Sequence, residues 1–324
     1  MLRRAFLAAV ALAASLLATP SRADQYLASS EDGRIFSFSY TTGAGFSGLS
    51  TYLDLGRGAV LDGLAFGPNG SLYVTNLAFG TVTRYTTVNG SPTSPDILVS
   101  RATGGPAYPF QLAFIPAGLS GAGDFLVSDY TGNRIQEYTR GGTLVGTYAS
   151  GGGLSGPTGL AFDSAGNLFV SSSLDNRILR TGPGGGVLSF YGGNGLTGNV
   201  AQLAFRPNTG DLFGAGFANM TGRPGILYIP SNAPGTVTAF DFGRPSGVAF
   251  DAGGNFIVAD YEGGRIIHGD GTVLALPAGA RPMSIVRVPS GVNIAAVPEP
   301  SSLALCGVGA IGLAVAARRR RRRA

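Results

Sequence analysis

The sequence predicts an all-β protein built as a six-bladed β-propeller, and three observations support this fold class. The chain has 53 Gly and 19 Pro in 324 residues, and both are poor helix formers. A short apolar unit recurs six times at intervals of 37 to 48 residues. Each copy is followed by turns and short apolar strands without helical periodicity, a pattern typical of propeller blades.

The repeated unit has the form Gly/Gln-Leu-Ala-Phe in its clearest copies. Turns rich in Asn and Gly follow it, such as 67–70 and 251–255, and these residues tolerate the positive φ angles of tight hairpins. Five clear copies and a weaker sixth are centred on Leu64, Leu112, Leu160, Leu203, Val248 and Ile285.

The two ends of the repeat region predict how the ring closes. Residues 27–40 contain the later half of a repeat with no Leu-Ala-Phe unit before it, and residues 281–291 contain a first half with nothing after it. Joined in one sheet, the halves complete a sixth blade and leave no open edge between the first and last blades. We therefore expect residues 282–288 to pair in the same sheet as residues 25–39.

A second periodic feature concerns polar residues near the ends of the strands. A short polar residue follows the second strand of five blades, and in four of them an Arg precedes the third strand. The two sets are Ser29, Asn76, Asp129, Ser172 and Asp260, and Arg34, Arg134, Arg177 and Arg265. Residues that occur once per blade favour a structural role, in which the polar groups bind turn N–H groups, carbonyls or each other.

The alternative for these residues is a binding surface. Tyr130 and Tyr261 directly follow Asp129 and Asp260, so one face of the ring would carry Asp, Tyr and Arg side chains suited to a carbohydrate or a peptide. The candidate binding residues are Asp129, Tyr130, Arg134, Arg177, Asp260, Tyr261 and Arg265.

The blade pattern resembles the NHL-repeat propellers. Their signature runs from Pro-x-Gly-Leu/Ile-Ala, through a Gly-Asn/Gly-x-Leu/Ile-Tyr/Phe-Val strand to Asp, and then to Asn-Arg-Ile. Residues 157–178 and 245–266 match it closely, and 109–135 match with an insertion. The resemblance covers residues 26–291 and implies an architecture rather than an activity.

The N-terminus is typical of a secretory signal peptide. Arg3 and Arg4 precede an apolar run over residues 5–18, and the small residues Ser21 and Ala23 follow. We expect cleavage near Ala23. The single cysteine, Cys306, excludes a disulfide within the chain, which is compatible with export of a fold that has a large core.

The C-terminus resembles the PEP-CTERM sorting signal of exported proteins in Gram-negative bacteria that make exopolysaccharide. Pro298, Glu299 and Pro300 precede an apolar run over 303–317 and six Arg at 318–323. Fifteen helical residues rise about 22 Å, so flanking residues would complete a transmembrane helix across a hydrocarbon core of roughly 30 Å, with the Arg cluster in the cytoplasm. The resemblance implies that a membrane-embedded exosortase cuts near Pro-Glu-Pro; the alternative is a permanent anchor.

These segments define the expected organisation and location of the protein. Residues 1–23 form the signal peptide, 24–291 the propeller, 292–297 a linker and 298–324 the sorting signal. The expected partners are signal peptidase and an exosortase-type enzyme. The protein is expected to be tethered to the membrane through 303–317 and then to reach the cell surface or the extracellular matrix.

The charge distribution argues against a nucleic-acid partner. The whole chain has a net charge of +5, but nine of its 23 Arg lie in the two terminal segments. Residues 24–291 hold 14 Arg and 17 acidic residues, so the propeller has no general attraction to phosphate backbones.

Two enzyme classes with propeller folds need different residues from those present. A metal-dependent sugar-lactone hydrolase of the gluconolactonase type needs several oxygen ligands in the central channel, and the six candidate positions supply one carboxylate, Asp62. A streptogramin-cleaving lyase needs a His general base, and the one His, His268, is expected to face solvent on an outer strand.

The leading hypothesis is therefore a non-enzymatic propeller without a metal or cofactor, which binds polysaccharide or another envelope protein. The alternatives are the sugar-lactone hydrolase and an inert component of the extracellular matrix.

The sorting signal makes a prediction that intact-mass analysis can check. Glu299→Gln, or deletion of residues 318–323, should leave export intact but hold the protein in the membrane or alter its C-terminal processing. If residues 303–317 persist in the wild-type surface form, the tail is a permanent anchor and the processing hypothesis is wrong.

Overall fold

The computed structural model describes residues 23–88, 90–192, 199–216, 225–233 and 238–294. These residues form six mainly antiparallel sheets whose innermost strands contact one another in sequence, the last against the first, so the predicted six-bladed β-propeller is confirmed. The described residues contain one short 3-10 turn, Arg101–Thr103. Within them, no helix is long and apolar enough to cross a membrane. The predicted transmembrane helix over 303–317 and the apolar run of the signal peptide over 5–18 lie outside the described residues.

The first three blades are consecutive along the chain. Blade 1 holds β1 (Asp24–Ser30), β2 (Arg34–Thr41) and β3 (Gly45–Asp54). Blade 2 holds β4 (Leu61–Phe66), β5 (Leu72–Asn76), β6 (Thr81–Tyr85) and β9 (Asp96–Ser100), with the small hairpin β7 (Thr87–Val88) and β8 (Ser91–Pro92) before its last strand. Blade 3 holds β10 (Pro109–Phe114), β11 (Phe125–Asp129), β12 (Arg134–Tyr138) and β13 (Leu144–Ser150).

The remaining blades follow the same plan. Blade 4 holds β14 (Pro157–Phe162), β15 (Leu168–Ser172), β16 (Arg177–Thr181) and β18 (Ser189–Gly192), with β17 (Gly186–Val187) before its last strand. Blade 5 holds β19 (Val200–Phe205), β20 (Leu212–Gly216), β21 (Gly225–Ile229) and β22 (Thr238–Asp241). Blade 6 holds β23 (Pro245–Phe250), β24 (Phe256–Asp260), β25 (Arg265–His268) and β26 (Val273–Ala275), and β27 (Pro282–Arg287) ends the propeller.

In four blades every residue of the second strand is buried. All five residues of β5, β11, β15 and β20 are buried, because neighbouring blades cover both surfaces of the strand. Aromatic and aliphatic side chains fill the seams between blades; at the seam of blades 2 and 3, Tyr73 packs edge-on against Phe114 and Phe125 stacks on Tyr138. Burial of this apolar area is the main stabilising contribution.

The ring is closed by the two ends of the repeat region. β27 pairs antiparallel with β1, with Tyr26 opposite Arg287 and Ala28 opposite Ile285. This is the predicted pairing, and it makes β27 the innermost strand of blade 1. The Ser29 hydroxyl accepts a hydrogen bond from the Ser284 N–H (3.1 Å) and donates one to the Asp62 carbonyl of blade 2, so the closing strands are also bonded to the next blade.

Alternating strand directions give the propeller two different faces. Face A carries the turns between second and third strands, such as 77–80, 130–133 and 261–264, together with the connections between blades. Face B carries the turns between first and second strands, such as 67–71 and 163–167, and those between third and fourth strands, such as 42–44.

Blade 3 has a fifth strand that the repeat pattern did not predict. The two residues of β17 come from the connection between the last two strands of blade 4, yet they pair in parallel with β13 of blade 3. Leu188 extends the contact, since its N–H donates to the Ser150 carbonyl (3.0 Å). The outer edges of two blades are thereby joined.

The chain after β27 stays folded against the propeller. The Val288 N–H donates to the Gln25 carbonyl (2.8 Å), and Ile294 is 5% exposed within the apolar cluster at the seam of blades 1 and 2. Val292 packs against the same cluster. The first three residues of the predicted linker, 292–294, therefore pack on the propeller, and the remaining three lie outside the described residues.

Candidate functional site

The predicted Asp and Arg residues of blade 3 form a closed hydrogen-bonding unit at face A. Asp129 ends β11, and its side chain is 4% exposed. One carboxylate oxygen accepts from the Gly132 N–H (3.1 Å), and the other accepts from Nε of Arg134 (3.0 Å), which begins β12. The pair ties the ends of two strands to the turn between them.

Blade 6 repeats this unit with the same geometry. Asp260 accepts from the N–H groups of Gly263 (3.3 Å) and Arg244 (3.1 Å), and from Nε of Arg265 (2.8 Å). Its side chain is buried, as that of Asp129 is. A Cβ at Gly263 would lie 2.3 Å from the Asp260 carboxylate, so this turn needs glycine where the carboxylate folds back over it.

Two other blades keep the ion pair but move the carboxylate into the turn. Arg177 is bound by Asp175, with 2.7 Å between Nε and the carboxylate oxygen, and it also donates to the Gly153 carbonyl (3.1 Å). Arg34 is bound in the same way by Asp32 (2.8 Å). In both blades the second strand ends in Ser rather than Asp. The carboxylate that binds the Arg therefore comes from the turn.

The periodic spacing misassigned one member of the polar set. Ser29 pairs with Ile35 as Ser128 pairs with Ile135, so Ser29 belongs one position earlier in the blade than the spacing suggested. Ser30 is the true equivalent, because its hydroxyl accepts the Arg281 N–H (3.0 Å) as Asp260 accepts that of Arg244. The turn between the second and third strands is one residue shorter in blade 1 than in blade 3. The eight-residue spacing between apolar residues of these two strands does not reveal this difference.

The two predicted tyrosines lie on face A but in opposite blades. Tyr130 packs against Phe110 with ring centroids 4.9 Å apart. Tyr261 lies beside the guanidinium of Arg281, 5.4 Å from its ring centroid, and donates its hydroxyl proton to Glu31 (2.6 Å). Burial and then this hydrogen bond raise the pKa of Tyr261. The seven candidate residues thus share a face without forming one site.

Face A also exposes apolar side chains that the sequence analysis did not single out. Phe79 and Leu174 are both 58% exposed in their turns, and Tyr108 is 47% exposed in the connection before β10. We call Phe79, Tyr108, Phe110, Tyr130 and Leu174 the aromatic patch.

The aromatic patch is continuous across blades 2 to 4. The Arg101 guanidinium lies over Tyr108 at 5.4 Å, and a Cβ at Gly80, next to Phe79, would meet Arg101 Nε at 2.9 Å. On the other side, a Cβ at Gly156 would meet both Leu174 (2.7 Å) and Tyr130 (2.8 Å). Most other strongly exposed large apolar residues of the described chain lie on outermost strands: Ile97, Leu144, Val145, Val187 and Val273.

Around the centre of the ring, glycine alternates with larger polar residues on the inner strands. The position before each inner-strand Leu, Val or Ile is occupied in turn by Gly63, Gln111, Gly159, Gln202, Gly247 and Ser284. The Gln202 side chain accepts from the N–H groups of Val248 (3.1 Å) and Ile285 (3.2 Å). A Cβ at Gly247 would lie 2.8 Å from the Gln202 amide oxygen, so glycine is needed for this close approach.

One carboxyl group is buried beside this centre. Asp62 is 5% exposed and accepts a hydrogen bond from the Gln111 amide nitrogen (2.8 Å). Burial raises the pKa of Asp62 to about 7, and the bond from Gln111 opposes the shift. Within the described part of the chain, no group of three or more His, Cys, Asp or Glu residues is arranged to hold a metal ion.

The prediction that His268 faces solvent was wrong. His268 is 3% exposed, with its Nε2 3.1 Å from an Asp251 oxygen and its Nδ1 2.8 Å from an Asp270 oxygen. Its ring stacks on Tyr40 of blade 1 at 3.8 Å, and the Tyr40 hydroxyl donates to Asp270 (2.5 Å). The next blade covers the strand, so His268 lies in the seam of blades 6 and 1, away from the centre of the ring.

Comparisons with known proteins identify two sequence motifs. Residues 296–322 match the PEP-CTERM protein-sorting motif, and residues 242–268 match the NHL repeat. The predicted sorting residues Pro298, Glu299 and Pro300 lie within the first match and outside the described residues. No curated protein sequence matches the chain.

Several solved structures share the fold at low sequence identity. A structure of the nidogen/laminin complex matches with a TM-score of 0.67 and 18% identity, over 83% of this chain and 99% of the other. A Staphylococcus aureus virginiamycin B lyase matches with a TM-score of 0.54 and 16% identity, over 81% and 87%. A proposed gluconolactonase matches with a TM-score of 0.53 and 14% identity, over 82% and 95%. These likenesses establish the fold alone.

The Asp–Arg units predict unequal losses of stability. Arg134→Ala and Arg265→Ala should each lower the free energy of unfolding by roughly 1–3 kcal/mol, because a buried carboxylate loses its charged partner. Arg177→Ala should cost less, since Asp175 is 25% exposed and solvent can replace the Arg. Chemical denaturation of the three variants measures this, with the exposed Arg57→Ala as control. A selective loss of ligand binding in one variant, with unchanged stability, would instead indicate a binding role.

The Asp62 carboxyl predicts a dependence of stability on pH. Its folded-state pKa of about 7 exceeds the value near 4 of an unfolded chain, so its contribution to stability is largest below about pH 4 and is lost as the pH rises to about 7. Asp62→Asn should remove this loss and be more stable than wild type above about pH 7. Denaturation curves between those values test this. Asp54→Asn, at an exposed position, is the control for the loss of a carboxyl group.

Proposed function

We propose that the protein is a non-enzymatic, exported surface or matrix protein that binds another envelope protein through the aromatic patch on face A. The PEP-CTERM motif and the propeller fold support an exported, membrane-processed propeller protein. The exposure of the patch is the observation that carries the binding role. Large apolar side chains that cluster on an accessible surface and are rimmed by polar groups are typical of interaction sites.

The composition of the patch favours a protein as the partner. Aromatic residues and Arg are enriched in the centres of protein interfaces, and the patch joins Phe79, Tyr108 and Leu174 to the guanidinium of Arg101. The patch borders the Asp129–Arg134 unit, whose hydrogen bonds fix the turn that contains Tyr130. A rigid surface of this kind loses little conformational entropy when a partner binds.

A second candidate partner is a polysaccharide, which the surroundings of Tyr261 favour. Tyr261 lies beside the guanidinium groups of Arg244 and Arg281, and Glu31 accepts its hydroxyl proton. A partly exposed ring surrounded by charged hydrogen-bonding groups suits the apolar and hydroxyl surfaces of a sugar. This cluster lies across the ring from the aromatic patch, so variants can separate the two candidates.

The alternative of a metal-dependent sugar-lactone hydrolase has weaker support. A hard divalent cation needs several oxygen ligands, whereas the six inner-strand candidate positions supply one carboxylate, Asp62, whose pKa is raised. Hydrolysis of a sugar lactone that stops on chelation and returns with added divalent cation would support the hydrolase and contradict the proposal.

Binding to cells tests the proposed function directly. Purified mature protein is added to producer cells that lack it, and the fraction retained after washing is measured. Phe79→Ser combined with Leu174→Ser should reduce the apparent affinity by about tenfold or more, the loss expected when interface anchors are truncated. The melting temperature should stay unchanged, because both side chains are exposed.

The control replaces equally exposed apolar residues outside the patch. Ile97→Ser combined with Val187→Ser, on outermost strands, should leave binding unchanged. Protease treatment of the cells should abolish binding, and periodate, which oxidises sugar diols, should not. Loss after periodate alone would favour the polysaccharide candidate, and equal losses in both double variants would contradict a specific patch.

A further inference from the structure

Both ends of the propeller leave it on face B, side by side. β1 begins there at Asp24 and β27 ends there at Arg287, because the two strands pair antiparallel and β1 continues to face A. Nε of Arg287 donates to the Asp24 carboxylate (3.1 Å), and the other Asp24 oxygen accepts the N–H of Ala252 in a face B turn (2.9 Å). The signal peptide and the sorting signal are therefore attached to the same face.

The C-terminal exit point is fixed by a folded segment, residues 288–294, which we call the clamp. Ile294 and Val288 are 5% and 7% exposed and share an apolar cluster with Leu27 and Leu61. Val292 is held against Gly70 of a face B turn, where a Cβ would lie 3.1 Å from its methyl group. Because the clamp is packed on its apolar side, any tether between the propeller and the sorting signal can begin only after Ile294.

The distance from the clamp to the sorting signal is short. Three residues, 295–297, separate Ile294 from Pro298. Four residue steps span at most about 14 Å even when fully extended. The sorting motif therefore begins within that distance of Ile294. Eight residues, 295–302, lie between Ile294 and the apolar run at 303, and these nine residue steps span at most about 32 Å, so the tether limits how far the propeller can turn over.

We propose that face B is the membrane-proximal face of the propeller while the chain is tethered by its C-terminal segment, and that the clamp enforces this orientation. Face B would then lie next to the lipid bilayer. Face A, with the aromatic patch, then points away from the membrane. This inference rests on the exported, membrane-processed state of the proposed function and adds to it which surface the partner reaches.

Single cysteines on the two faces test the orientation in the full-length chain. Cys306→Ala removes the native thiol, and Thr42→Cys on face B or Arg57→Cys on face A, outside the aromatic patch, supplies an exposed probe. A bulky membrane-impermeant maleimide is added to intact cells or spheroplasts, and labelling of the membrane-bound form is followed over time. We expect labelling at residue 42 to be about fivefold or more slower than at residue 57, because access controls thiol reactivity.

A longer tether is the matched control for the clamp. A flexible Gly-Ser insertion of about 12 residues directly after Ile294 adds length without altering the packed residues. It should bring labelling at residue 42 close to that at residue 57. Equal labelling at both positions with the natural tether would overturn the proposal, as would an insertion that changes nothing.

The same experiment separates this inference from export itself. If neither cysteine is labelled in intact cells while both react after lysis, the protein is not exported, and the proposed function is wrong together with the orientation. If the protein is labelled but found entirely in the soluble fraction, it is not tethered, and the orientation alone is overturned.

Discussion

The antiparallel pairing of β27 with β1 is the interaction on which the rest of the propeller depends. The blades bury their apolar surfaces only against one another, so a ring with a gap would expose one side of two blades and the unpaired edge of β1. The pairing also decides where the chain ends lie. Because both ends belong to one sheet, they leave the same face, and the other face is free for contacts with a partner.

Residues that recur in several blades and residues that break the repeat have different roles. The Asp–Arg units at Arg134 and Arg265 are satisfied within their own blades, and Gln202 and Gly247 approach each other closely near the centre of the ring. These contacts hold the blades in shape and together. The aromatic patch is confined to blades 2 to 4, so it gives the nearly symmetric ring one distinctive surface.

Much of the architecture could be predicted from the sequence, and the failures have physical causes. The blade count and the closing pair followed from the Leu-Ala-Phe units, because a buried strand must be apolar in every blade. The carboxylate partner of Arg177 was missed because it lies in the turn and not at the end of the strand. Asp175 in that turn reaches the guanidinium of Arg177. The burial of His268 depends on Tyr40, which is distant in sequence, and so no local pattern could reveal it. The exposure of Leu174 is likewise set by what neighbouring blades leave uncovered.

Closure by a C-terminal strand also has a consequence for the order in which the protein can fold. The pair Tyr26 and Arg287 joins opposite ends of the domain, and such long-range contacts form slowly because their loop entropy must be overcome first. In a chain that crosses a membrane N-terminus first, β1 waits with an unpaired edge until nearly the whole domain has emerged. Only the last strand before the clamp completes the ring, so the emerging chain is most exposed to proteases and to aggregation in the interval before β27 arrives.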